Sequence, residues 1–156
     1  MAAGAWKIFT RAKRNLCTTS TGIHLDGIFQ MMLCRASASA GVLKNTNTGI
    51  STWASVGGEI SARGGYAANG RSIPAIKWTV GASTKQMKFS FTTAGLIFTA
   101  SGSALNNIKY AVIRNSTGAG AGKVLCFCTL STAAFTISSP NTLTILPAAT
   151  GVFTLS

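Results

Sequence analysis

A chain of 156 residues with 47% apolar content is long enough for one domain with a real core, too short to expect two, and too apolar for wholesale disorder. Fourteen Lys and Arg stand against only Asp26 and Glu59, a net charge of +12 that predicts attraction to an acidic protein surface or a polyanion. One histidine and two carboxylates leave paired-carboxylate catalysis and most metal sites almost no residues to use, so neither an enzyme nor a cofactor is expected.

In chain order, Ala5, Phe9, Ala12 and Leu16 recur at helical spacing while Lys7, Arg11 and Arg14 occupy another face, which predicts a short basic amphipathic helix over Ala5–Leu16. Trp6 and Phe9 are large apolar groups beside Lys7, Arg11, Lys13 and Arg14, the only basic cluster in the chain. These six residues are the candidate partner-binding set, on an arm that anchors by its aromatics and steers by its charge. Residues 1–20 are accordingly read as an arm, with a Ser/Thr-rich hinge at Thr18–Thr21, and residues 21–156 as the domain. Three helical turns give little membrane affinity, and no membrane partner is expected.

The remaining chain reads as all-β. Its glycines and small polar residues suit short strands and tight turns, as in a β-sandwich or jelly roll. Strand candidates are Ile23–Cys34, Arg71–Val80, Gln86–Thr92, Leu96–Ala100, Ile108–Arg114, Lys123–Thr129, Ala133–Ser138, Thr142–Leu146 and Gly151–Leu155. Pro74 should mark a sheet edge or a strand start, because proline cannot donate to a ladder. Ala36–Thr52 is small and polar, a long surface loop or extended arm; Trp53–Ala62 holds a short strand or helical turn; Arg63–Gly70 is a tight glycine-rich connection. The centre of the pattern is a hairpin. Ile108, Tyr110 and Val112 alternate with Lys109, Ala111 and Ile113, so the first strand should have one wetter face, whereas Val124–Leu130 is apolar on both sides and should be buried on both faces or covered by a partner chain.

Three sharper motifs fail on inspection. Gly118–Lys123 reads GAGAGK, but a phosphate-cradling loop needs glycine at 117, where Thr stands, and Ser or Thr at 124, where Val stands. His24 and Asp26 share a strand face, but nothing in the sequence joins them to a nucleophile. Cys126 and Cys128 lack a second pair or nearby histidines, and with Cys17 and Cys34 they are expected as free, buried thiols. The basic start has no uninterrupted apolar run, so synthesis in a reducing cytoplasm is expected.

The layout of Trp6-Lys7-Ile8-Phe9, the turn Gly65-Tyr66 to Gly70, the Trp78 strand, Lys109-Tyr110-Ala111-Val112 to Asn115 and the terminal Gly151-Val152-Phe153-Thr154-Leu155 resembles small structural proteins of tailed bacteriophages, particularly capsid cement or decoration proteins. The resemblance implies a virion protein that binds the major capsid protein across its junctions as a homo-oligomer, dimer or trimer, without a cofactor. A tail or tail-adaptor protein is the first alternative. A basic DNA-binding module is the second and less favoured one, because ten of the basic residues are dispersed and the denser basic runs with exposed stacking aromatics usual in such a module are absent.

Overall fold

The computed structural model describes residues 4–16, 23, 25–37, 52–80, 86–117, 121–148 and 150–155. Cys17, His24, the hinge at Thr18–Thr21, most of the Ala36–Thr52 loop and the centre of the GAGAGK turn lie outside them. The fold is all-β. In chain order its elements are β1 (Lys7–Ile8), α1 (Thr10–Leu16), β2 (Phe29–Arg35), the helical turn α2 (Trp53–Val56), β3 (Arg71–Ser72), β4 (Lys77–Val80), β5 (Met87–Ser90), β6 (Leu96–Thr99), β7 (Leu105–Asn115), β8 (Val124–Thr129), β9 (Phe135–Ile137), β10 (Thr142–Ile145) and β11 (Phe153–Leu155).

The main sheet has the order β1-β8-β7-β2-β3, with β9 also paired to β7, and every pairing is antiparallel. A three-stranded sheet β11-β5-β4 and the pair β10-β6 complete the described strands. The expected central hairpin is present: Tyr110 opposes Thr129 and Val112 opposes Phe127. Its turn is closed by Asn115 N–H donating to the Lys123 carbonyl at 2.8 Å and Gly122 N–H donating to the Asn115 carbonyl at 2.9 Å.

Residues opposed across a ladder share a face, so the register shows what covers each side. Phe29, Met31 and Leu33 of β2 lie with Asn115, Ile113 and Ala111 of β7 and with Cys126 and Cys128 of β8. That face meets the three-stranded sheet through Phe29 and Phe89, whose ring centroids are 5.6 Å apart, and Phe89 packs in turn on Trp78 at 4.8 Å and Phe153 at 5.2 Å. The packing is sandwich-like. On the opposite face, Met32, Val112 and Phe127 line up, and Phe9 covers Phe127 at 5.1 Å with α1 against β8.

Both faces of the hairpin are therefore covered by the chain itself. The wetter face expected for Ile108–Arg114 is corrected: Ala111, Val112 and Ile113 are all fully buried, and only Lys109 and Arg114 among its residues are part-exposed. β8 is buried on both faces as its composition indicated. Two further boundaries move. The segment expected as one strand over Arg71–Val80 is split into β3 and β4 around Pro74 and Ala75, the latter at φ 48°, and the strand expected over Ile23–Cys34 begins only at Phe29, after a turn at Leu25–Gly27. Gly70, at φ 76°, makes the entry into β3 obligatory for glycine, since a Cβ there would stand 2.2 Å from the Met31 carbonyl oxygen.

One hydroxyl ties the glycine-rich turn to the main sheet. Tyr66, buried, donates to Glu59 Oε1 at 2.7 Å and accepts the Leu33 main-chain N–H at 3.1 Å. Burial first, then the hydrogen bond to Glu59, pushes its phenol far above the ordinary range.

Phe89→Ala should cost about 3–5 kcal/mol, because it empties the centre of the aromatic contact between the two sheets; urea denaturation measures it. The thiols make a second prediction. Cys34, Cys126 and Cys128 are free and buried, and burial pushes Cys128 up from 9.0 to about 12 and Cys126 well above 9.0. A thiol whose folded pKa is raised stabilises the protein fully below its unfolded value and loses that contribution as pH rises toward the folded one. Stability should thus decline from about pH 9 upward, and Cys128→Ala should flatten the decline; denaturation at stepped pH checks both.

Candidate functional site

The six residues singled out in the N-terminal segment are brought to one edge of the main sheet, but not as a detached arm. Gly4 N–H donates to the Thr129 carbonyl at 2.8 Å, Lys7 and Ile8 oppose Phe127 and Cys126, and Phe9 N–H donates to the Leu125 carbonyl at 3.2 Å. Residues 4–9 thus run along β8 as an extended edge. The helix expected over Ala5–Leu16 starts only at Thr10, where the Phe9 carbonyl accepts from Ala12 N–H at 2.9 Å and Lys13 N–H at 3.3 Å. The strand ladder wins over helical periodicity for residues 5–9 because β8 would otherwise carry an unpaired edge.

This geometry separates the two aromatics. Phe9 is 1% exposed and belongs to the domain's core with Ala12, so the described part of the expected arm, residues 4–16, packs with the domain instead of standing apart from it. Trp6 is half-buried and points to a different task. It lines a groove of about 680 Å³ whose other walls include Leu130, Phe135, Leu143, Leu146 and Val152. Leu146, at the outer wall, is 57% exposed.

Lys7, Arg11, Lys13 and Arg14 are all exposed. Arg11 and Arg14 are three apart on α1 and share a face, while Lys13 and Arg14 fall in its last turn, where cations complement the helix dipole. Arg14 also has an intramolecular partner. Of the chain's two carboxylates, Asp26 is exposed in the turn before β2, and Glu59 accepts from Tyr66. The N-terminal segment therefore carries a cationic corner, Lys7 on β1 with Arg11, Lys13 and Arg14 on α1, and lends Trp6 to an apolar groove at the Thr129 end of β8. Exposed cations attract anionic groups at long range, and an apolar groove accepts apolar side chains.

Composition alone missed the groove's far wall. Leu143, Leu146 and Val152 are distant in sequence from Trp6, and the one local signal was the apolar Leu146-Pro147 step just past the end of β10. Among the described residues no group of three His, Cys, Asp or Glu side chains could hold a metal ion.

Deleting residues 2–16 should destabilise the free domain, and Phe9→Ala should cost about 3–5 kcal/mol in urea denaturation. Replacing Lys7, Arg11 or Lys13 singly by Gln should leave stability within about 0.5 kcal/mol, the range of exposed substitutions.

No family model, curated protein or solved structure matches the chain, so its activity is read from its own residues.

Proposed function

We propose that the protein is a structural component of a virion, of the capsid cement or decoration type, which binds across junctions between major capsid protein subunits and adds contacts that resist opening of the shell. The observation that carries this reading is that one N-terminal segment, packed along β8, carries four exposed cations and lends Trp6 to an apolar groove, in a β domain that has almost no acidic residues. Charge at such a corner speeds docking on an acidic surface, and the groove holds an apolar side chain once docked. The resemblance in layout to phage cement proteins supports the same reading. Charged residues make up only 10% of the chain, a composition suited to life inside an assembly, as a dimer or trimer at a symmetry axis, more than to a free monomer. A position in the tail rests on the same resemblance.

The excess of +12 favours one competing reading, attachment to DNA. Electron microscopy of the native particle and a mobility shift with free DNA separate the three: density for this domain on or between capsomers supports the cement reading, density in a tube, adaptor or fibre moves it to the tail, and tight DNA binding near physiological salt moves it to nucleic acid. On particles stripped of the protein, replacing Lys7, Arg11, Lys13 and Arg14 together by Gln should lower the association rate by about tenfold or more at low salt and weaken its salt dependence. Trp6→Ala should instead raise the dissociation rate and leave the salt dependence unchanged.

A further inference from the structure

Two irregularities in the β ladders meet at one end of β7. The β2–β7 register slips between Cys34 and Arg35, so Arg35 opposes Ile108 while Cys34 opposes Tyr110. On the other edge of β7 the pairing with β9 slips between Leu105 and Ile108, which leaves Asn106 and Asn107 without ladder partners, and Asn107 takes φ 62°. Such bulges re-aim side chains. Here they contribute to a cleft of about 220 Å³ lined by Arg35, Ile60, Ser61, Arg63, Asn106 and Asn107.

The lining residues carry two guanidinium groups, two carboxamides and a hydroxyl, Ile60 among them is buried, and neither Asp26 nor Glu59 belongs to the set. Both arginines rise from fixed backbone. Arg35 N–H donates to the Gly58 carbonyl at 2.8 Å, and its guanidinium donates to Ser61 Oγ, which orients the fork. Arg63 exchanges main-chain hydrogen bonds with Tyr66 at 3.0 and 2.9 Å, and Tyr66 is itself clamped between Glu59 and the Leu33 amide. Among the described residues neither arginine has a carboxylate partner.

We propose that this cleft is an oxyanion-binding site, taking a carboxylate or phosphate group. Arg35 and Arg63 supply charge and forked N–H donors, and the carboxamides of Asn106 and Asn107 supply neutral ones. Guanidinium forks match the paired oxygens of both ligand groups, and their fixed backbones reduce the ordering cost of binding. The site is separate from the basic corner and does not depend on the virion reading.

The test is a two-dimensional NMR titration of the full chain, following backbone amides, Arg side-chain Nε–H and Asn side-chain NH₂ signals, with sodium acetate, sodium phosphate and, at matched ionic strength, sodium chloride. Saturable shifts confined to Arg35, Ser61, Arg63, Asn106 and Asn107 are expected with acetate or phosphate and not with chloride, and the anion that saturates first identifies the preferred source. Arg63→Gln and Asn107→Gly, the latter keeping the positive φ while removing the carboxamide, should each weaken that binding by about fivefold or more without lowering the melting temperature of the unliganded protein. Lys77→Gln, an equal loss of charge on β4, should leave it unchanged. Shifts that grow linearly and equally with all three salts, or an equal loss in Lys77→Gln and Arg63→Gln, overturn the proposal.

Discussion

β7 has hydrogen-bonded neighbours along both edges and apolar cover on both faces, and the rest of the molecule is arranged to meet those two demands. Its main-chain donors and acceptors are taken up by β2 on one side and by β8, then β9, on the other. Its side chains from Tyr110 to Ile113 are buried whichever way they point. A strand of this kind cannot lie on the surface, so one layer must close over Ile113 and another over Val112. The first is the aromatic cluster of Phe29, Phe89, Trp78 and Phe153; the second includes Phe9 and α1. The N-terminal segment is drawn into the core by this second demand, whatever it does for a partner.

That dual use explains how the basic corner is held in place. Lys7 follows Trp6 in an extended edge segment, and Arg11, Lys13 and Arg14 follow from a helix whose first turn is anchored by Phe9 and Ala12. Charges carried on a packed edge keep a defined spacing, which a free arm would not provide. The same residues protect the fold from uncontrolled pairing. β1 is only two residues long and carries Lys7, and the edge strand β4 begins at Lys77, both of which discourage edge-to-edge association.

With only two carboxylates, their placement matters. Glu59 is committed to Tyr66, whose hydroxyl also satisfies a main-chain donor of β2, so a scarce acidic group stabilises the turn leading into the main sheet. The positive field is left largely uncompensated over the surface. An anionic environment would relieve that self-repulsion, so anions that bind the folded chain should also stabilise it.

The strand content, the central hairpin and the double-sided burial of β8 were legible in the sequence, because unbroken apolar runs flanked by glycine-rich turns carry that information locally. The clustering of four cations and two aromatics within nine residues, Trp6 to Arg14, was equally plain in the sequence. Only the tertiary structure decided which of those aromatics serves the core: Phe9 and Trp6 are equivalent by composition, and it is the register of β1 on β8 that sends Phe9 onto Phe127 and leaves Trp6 on the groove. Likewise Lys109 between apolar neighbours suggested a wet face, but Ala111 and Ile113 on that face are buried by a sheet whose residues lie far away in the chain. The Arg35 cleft was out of reach for the same reason. Arg35, Arg63 and Asn107 are separated by long stretches of sequence, and no local pattern announces a bulge until two strands are paired and their registers fail to match.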